Sequence, residues 1–112
     1  MTIRVVILHS AEADLWELRR HVEGRFGAPA WARSYSKIRQ AIARIATHPL
    51  AGKLPRELAE LHLVQYRQAL AGTNRIIYEL RDETAYVHVV CDVRRDLRSL
   101  LMRRIIETGT PP

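Results

Sequence analysis

The feature that most constrains the fold is a change of period halfway along the chain. Apolar residues recur every three or four positions up to residue 47, and about every second position in three short segments after residue 61. The first period is that of helices with one buried face, and the second is that of strands in a sheet. The pattern therefore predicts a helical layer packed against a sheet whose last three strands are joined locally.

Two helices account for the first period. The first is predicted over residues 11–26, with Ser10 as its N-cap, and it ends at Gly27. Its apolar stripe consists of Ala11, Leu15, Leu18, Val22 and Phe26. The second is predicted over residues 30–47, with a stripe of Trp31, Tyr35, Ile38, Ile42 and Ile45. Because only a few residues join them, the helices must lie antiparallel as an αα-hairpin. Trp16 lies off the first stripe and is predicted as a second-layer core residue, with a place in an interface as the alternative.

Strands are predicted over residues 3–8, 62–70, 75–81 and 85–92, and turn residues separate the last three. In the last strand, strict alternation places Val87, Val89 and Cys91 on one face, opposite Tyr86, His88, Val90 and Asp92. Residues 49–60 are predicted as a loop with one helical turn. A final helix over residues 96–106 carries a stripe of Leu97, Leu100, Leu101 and Ile105. The prediction is one α+β domain over residues 1–107, in the order β-α-α-β-β-β-α, with a helical hairpin on a largely antiparallel, curved sheet and a flexible tail over residues 108–112.

The charge of the chain is unevenly distributed. Eighteen basic against twelve acidic residues give a net charge of +6, and all the basic residues except Lys37 and Lys53 are arginine. Residues 25–56 contain seven basic residues and no acidic one, and a second basic group spans residues 94–104. Such a field favours a polyanionic partner, either nucleic acid or an acidic protein segment. The alternative is a basic surface that only keeps the domain soluble.

The composition also limits the location and the chemistry. No apolar run approaches the roughly 20 residues needed to cross a bilayer, so no membrane association is expected. The single cysteine, Cys91, cannot form an internal disulfide, which favours a reducing cytoplasm. Its place on an apolar alternating face predicts a small buried side chain rather than a nucleophile. No metal site and no cofactor are expected, since one cysteine and scattered histidines do not make a ligand set.

An arginine set on the sheet is the remaining chemical candidate. Arg67, Arg75 and Arg81 come from neighbouring strands, and Arg94 and Arg95 follow the last strand. Converging guanidinium groups can hold phosphates or stabilise a developing phosphorane charge. Cleaving RNA would also require a general base and a general acid. The candidates are His88, His62, Glu57 and Tyr66, and spacing selects none of them. In the alternative interpretation, the arginines are solvated partners of Glu79, Asp92 and Asp96.

Four stretches in this order resemble a known family. They are residues 11–15 (AEADL), 48–58 (HPLAGKLPREL), 74–80 (NRIIYEL) and 92–97 (DVRRDL). With the order and length of the elements, they resemble the RelE/ParE superfamily, the toxins of bacterial type II toxin–antitoxin pairs, over residues 3 to 106. The resemblance implies a toxin neutralised by an antitoxin, which has an acidic segment that folds on the toxin. Operator DNA would be contacted only through that antitoxin.

The superfamily contains two activities, and the resemblance bears on both. In its ribosome-dependent mRNA endonucleases, the positions of Arg75 and Arg95 would hold the scissile phosphate. Those enzymes usually carry lysines where this chain has Gln65, Arg67 and Gln68, and a tyrosine at the position of Leu101, although Arg67 or His88 can substitute. The ParE-like branch, which inhibits DNA gyrase and needs no nucleolytic site, is therefore favoured, and the chain is expected not to be an enzyme. Target or antitoxin contacts are then expected at Arg67, Arg75, Arg81, Arg94, Arg95, Arg98 and Leu101.

Overall fold

A computed structural model describes residues 2–108 of the chain. Its elements are β1 (Arg4–Ile7), α1 (His9–Phe26), α2 (Ala28–Thr47), α3 (Arg56–Ala59), β2 (Tyr66–Ala71), β3 (Asn74–Arg81), β4 (Thr84–Asp92) and α4 (Leu97–Thr108). The predicted α+β class and element order are confirmed, and α3 is the single helical turn expected in residues 49–60. The tail from residue 109 onward and the side chain of Ile105 lie outside the described part of the chain.

The four strands form one sheet in the order β1-β4-β3-β2. β1 is parallel to β4, whereas β2–β3 and β3–β4 are antiparallel pairs joined by two-residue turns. Gly72 in the first turn has φ 63°, and Asp82 and Glu83 in the second have φ 48° and 62°. These left-handed conformations suit the twist of a tight hairpin. Because β1 pairs with the last strand, the α1–α2 hairpin crosses one face of the sheet.

The sheet separates two hydrophobic cores. The first, called here the hairpin core, lies beneath α1 and α2. Its buried members are Ala11, Ile38, Ala41, Ile45, Ala71, Ile76, Tyr78, Ala85, Val87 and Val90. The second, called here the C-terminal core, lies beneath α3 and α4, and its members are Leu58, Tyr66, Ile77, Val89, Cys91, Leu97, Leu100 and Leu101. Both faces of the sheet are thus covered by helices.

A β-bulge in β4 makes the predicted alternation of that strand wrong. Ile77 of β3 pairs with Val89 and the next residue, Tyr78, pairs with Val87, so His88 is the extra residue. The bulge reverses the facing of the residues on either side of it. Val87 therefore packs in the hairpin core with Val90, while Val89 and Cys91 pack in the C-terminal core.

Three local predictions are also corrected. The N-cap of α1 is Leu8, and the Ser10 hydroxyl instead donates to the carbonyl of His88 at 3.2 Å. Phe26, predicted in the buried stripe, is 66% exposed at the end of α1. β2 begins at Tyr66 rather than at residue 62. His62 has a left-handed φ of 60°, and the N–H of the next residue, Leu63, donates back to the Leu58 carbonyl. That bond closes the end of α3 and delays the strand.

Candidate functional site: a buried arginine cluster and a basic surface

Arg75 is the most buried of the predicted site arginines, with 6% of its surface exposed. Its two terminal nitrogens donate to the Glu57 carboxylate at 2.9 and 3.2 Å, and further to Gln68 Oε1 and the Arg95 carbonyl. Burial disfavours the charge on Arg75, but the hydrogen bond and the negative charge of Glu57 raise its pKa. The guanidinium therefore ties α3 and the β4–α4 connection to the sheet.

His88 is also withdrawn from solvent, at 2% exposure. Its Nε2 lies 3.0 Å from Glu79 Oε1, and its ring meets Tyr66 edge-on with centroids 5.3 Å apart. Burial lowers the pKa of His88, although Glu79 opposes that shift. A neutral ring with its hydrogen on Nε2 satisfies the contact with Glu79 and leaves Nδ1, which is buried and unpaired. In this structure the imidazole has no open path to a substrate in solvent.

Of the remaining candidates for proton transfer, Tyr66 and Glu57 are in structural positions and His62 is exposed. The Tyr66 side chain is 1% exposed, and burial raises the pKa of its hydroxyl. Glu57 is occupied by Arg75, and His62 is exposed in the turn after α3. Arg67, proposed as a substitute for a missing lysine, donates to the carbonyls of Leu50 at 3.2 Å and Gly52 at 2.8 Å. It holds the loop after α2 against β2.

A second group of predicted site arginines is on the surface. The Arg94 side chain is 87% exposed and pairs with Asp92, which lowers the pKa of that carboxyl. The Arg81 guanidinium lies over the Tyr86 ring at 4.5 Å and 3.5 Å from Glu79. Arg98 on α4 pairs with Glu60, and Arg95 is exposed. Leu101 is 1% exposed in the C-terminal core, so it lies behind this surface and not on it.

A groove of about 840 Å³ opens beside the exit of β4, between that exit and the α1–α2 hairpin. Its walls combine apolar side chains with cations. The apolar wall includes Leu18, Val22, Phe26 and Val90, and the cations at the groove are Arg33, Lys37, Arg94 and Arg95. Asn74, at 5% exposure, also lines the groove. Asp14, Glu17 and Asp92 line the groove as well, and Asp14 and Asp92 pair with Arg104 and Arg94. The lining cations that form no ion pair with a carboxylate among residues 2–108, which are Arg33, Lys37 and Arg95, can therefore contact a ligand that is anionic and partly apolar.

A smaller hollow lies on the hairpin between α1 and α2. It is lined by Trp16, Trp31 and Tyr35, and the last two rings stack with centroids 5.4 Å apart. Trp16 is 65% exposed, so its prediction as a second-layer core residue is wrong. The guanidinium of Arg19 lies 5.8 Å from its ring centre.

Sequence reasoning missed one buried ion pair that joins distant parts of the chain. Asp14 on α1 pairs with Arg104 on α4, and both side chains are nearly buried. Asp14 also accepts from Val90 N–H at 2.9 Å, and Arg104 donates to the His88 carbonyl at 2.7 Å. The pair thus satisfies backbone groups at the β-bulge. Burial raises the pKa of Asp14 even though both partners lower it. No spacing rule connects residues so far apart in the sequence.

Among residues 2–108, no cluster of histidine, cysteine and carboxylate side chains is arranged to hold a metal ion. Within the same residues, no helix is both long and apolar enough to cross a membrane.

The element order and the sheet agree with the fold of the type II toxin class that the sequence resembles, and comparisons with known proteins establish the family. A family model described as the ParE toxin of the type II toxin–antitoxin system parDE matches residues 5–98. The chain therefore belongs to the ParE toxin family, within the RelE/ParE superfamily of type II toxins. A search of curated proteins gave no match.

Solved structures share the fold at low sequence identity. A chain of the ParDE system of Pseudomonas aeruginosa superposes with a TM-score of 0.69 at 11% identity, over 83% of this chain and 98% of that one. A chain of the toxin–antitoxin complex RelBE2 of Mycobacterium tuberculosis gives 0.56 at 22% identity, over 82% and 99%. The YoeB dimer of Staphylococcus aureus gives 0.54 at 14% identity, over 85% and 100%. At these identities the likeness concerns the fold alone.

Proposed function

We propose that this toxin acts by inhibiting DNA gyrase and that a cognate antitoxin neutralises it by binding its basic surface. The observation that carries the proposal is the state of three of the four side chains on which RNA cleavage would depend, the fourth being the exposed Arg95. Arg75, His88 and Arg67 are each engaged within the protein, and the first two are almost completely buried. A nucleolytic site needs a general acid and a general base within reach of the substrate.

The exposed arginines support a binding function for the same region. Arg94, Arg95 and Arg98 lie where β4 leaves the sheet and α4 begins, whereas Arg81 lies at the opposite end of β3, paired with Thr84 at the start of β4. The groove next to Arg94 and Arg95 adds apolar side chains to these charges. An acidic antitoxin segment that folds on contact can pair its carboxylates with the arginines and bury apolar side chains in the groove.

The test is inducible expression in a bacterial host, with DNA synthesis and protein synthesis followed separately. We expect DNA synthesis to stop first, with an SOS response and with gyrase trapped on cleaved DNA. If protein synthesis stops first and mRNA is cut on the ribosome, the target is the ribosome and the proposal is wrong.

A double variant tests the surface. Arg94→Ala with Arg95→Ala should reduce toxicity at equal expression, and the backbone carbonyl of Arg95 that holds Arg75 is retained. The matched control is Arg20→Ala with Arg103→Ala, which removes the same charge from exposed positions on α1 and α4. Equal toxicity of the two double variants would contradict the assignment of this surface.

A further inference from the structure

We infer that the toxin itself binds the phosphate backbone of duplex DNA through a stripe of cations along α2, formed by Arg33, Lys37 and Arg44. The stripe consists of other residues than the strand-exit arginines of the proposed function, although Arg33 and Lys37 line the same groove as Arg94 and Arg95. It can be tested without gyrase or antitoxin, so its failure and the failure of the proposed function are distinguishable.

Helical geometry aligns the three cations. At about 100° per residue, positions 33, 37 and 44 fall within about 40° of one another. At about 1.5 Å per residue they extend along about 16 Å of the helix axis. That length corresponds to about five base-pair steps of B-DNA at about 3.4 Å each. One α2 helix can therefore meet several phosphates at once.

The stripe is held in place on the surface of the fold. Arg44 donates to the carbonyl of Leu70 in the edge strand β2 at 3.2 Å, and it keeps its charge in that contact. The methylene groups of Lys37 lie over the β2–β3 turn, close enough that a Cβ at Gly72 would lie 3.1 Å from Lys37 Cδ. Contacts with β2 and with the β2–β3 turn therefore hold the Arg44 and Lys37 side chains along the same face of α2.

The cations of the stripe form no ion pair in the described part of the chain, although Asp14, Glu17 and Asp92 line the groove beside Arg33 and Lys37. Within residues 2–108, Arg33, Lys37 and Arg44 form no ion pair with a carboxylate. This differs from Arg19, Arg56, Arg94 and Arg98, which all pair with a carboxylate. The sequence explains the difference, since residues 25–56 contain no acidic residue.

The side chains between the cations favour nucleic acid over a peptide. The exposed neighbours on the stripe are Ser36, Gln40, Ala43 and Thr47. They provide no large apolar side chain, which a stable protein contact would need as an anchor. Phosphate contacts require only cations and small polar groups, and they do not depend on base sequence. An acidic peptide seated against the apolar wall of the groove would meet only Arg33 and Lys37 of the stripe, whereas a duplex lying along α2 would also meet Arg44, which is not part of the groove lining.

The experiment measures binding of the purified chain to a fluorescent duplex of arbitrary sequence, over about 50 to 200 mM salt. Three proteins are compared: the unchanged chain, Arg33→Gln with Lys37→Gln, and the control Arg20→Gln with Arg103→Gln, which loses the same charge elsewhere. We expect the stripe variant to lower the salt slope of log K by about 2, at about 0.9 per lost phosphate contact, and to weaken binding at least ~10-fold at low salt. The control should retain the slope.

Several outcomes would overturn the inference. The first is the absence of duplex binding at low salt, and the second is an equal loss of binding in both double variants. The third is that a glutamate-rich peptide binds through Arg33 and Lys37 more tightly than the duplex does. The last result would assign the stripe to an acidic protein segment. Because both side chains are exposed, we expect both variants to melt at the temperature of the unchanged chain. This is checked by circular dichroism before binding is compared.

Discussion

In the hairpin core the buried side chains are aliphatic apart from Tyr78, whereas beside the leucines of the C-terminal core a guanidinium and an imidazole are buried. Both sides belong to the same strands. The first is stabilised by burial of apolar area, which tolerates small changes of shape. The second depends in addition on each buried polar group keeping its partner, because an unpaired buried charge is costly. The two sides should therefore respond differently to the loss of one group.

The largest effect is expected where the buried charges meet. Arg75→Ala leaves Glu57 and the Arg95 carbonyl without their donor and opens a void, so it should lower the free energy of unfolding by about 3–5 kcal/mol. Denaturant unfolding monitored by circular dichroism measures this. Arg56→Ala is the control on the same α3 segment. Its side chain is 93% exposed, so loss of its pair with Glu60 should change stability by less than about 0.5 kcal/mol. Similar losses in the two variants would contradict the buried role of Arg75.

The apolar parts of the two sides should behave alike. Ile38→Ala in the hairpin core and Leu101→Ala in the C-terminal core each truncate a fully buried side chain. Each should cost about 2–5 kcal/mol, from lost transfer free energy and the cavity that remains. The measurement is the denaturant midpoint at constant slope. A cost below about 1 kcal/mol for Leu101→Ala alone would show that α4 packs less tightly than the hairpin.

The α3–α4 side should also depend on pH through His88. Burial lowers its folded pKa below the ordinary value of 6.5, while Glu79 favours the charged ring and Arg81 and Arg104 oppose it. The unfolded chain therefore takes up the proton first as pH falls. The stability that neutral His88 contributes is complete above about pH 6.5 and is lost as pH falls toward the folded pKa. His88→Gln should remove this part of the slope of unfolding free energy between about pH 7 and about pH 5. Identical slopes for the unchanged chain and for His88→Gln would contradict this role of His88.

The hairpin side could be predicted from the sequence because its signals are local. The apolar period of α2 is visible within the sequence of that helix alone, and Ile38 and Ile45 are buried as predicted. The element order follows from such periods and from turn residues. The stripe of α1 fails only at Phe26, in the last turn, where the sheet no longer covers the helix.

The α3–α4 side could not be predicted in the same way, because its contacts join distant residues. The sequence offers Glu57 only as a candidate acid or base, and nothing in its spacing indicates that Arg75 is its partner across 18 positions. The bulge at His88 gives no signal in an apolar alternating strand, yet it changes which residues reach each core. The sequence offers Arg75 and His88 as candidate site residues, but their burial depends on tertiary contacts that it does not indicate.

The smallest effect tests the one polar group within the hairpin core. The Tyr78 hydroxyl donates to the Pro49 carbonyl at 2.7 Å, and its ring packs beside Gly52, where a Cβ would lie 2.4 Å from the hydroxyl oxygen. Tyr78→Phe removes one hydrogen bond and retains the ring, so it should cost about 0.5–1.5 kcal/mol. Gly52→Ala in the same place should cost more, about 1–3 kcal/mol, because the loop must shift. If Tyr78→Phe costs as much as Arg75→Ala, polar contacts matter equally on both sides of the sheet, and the contrast between the two sides is wrong.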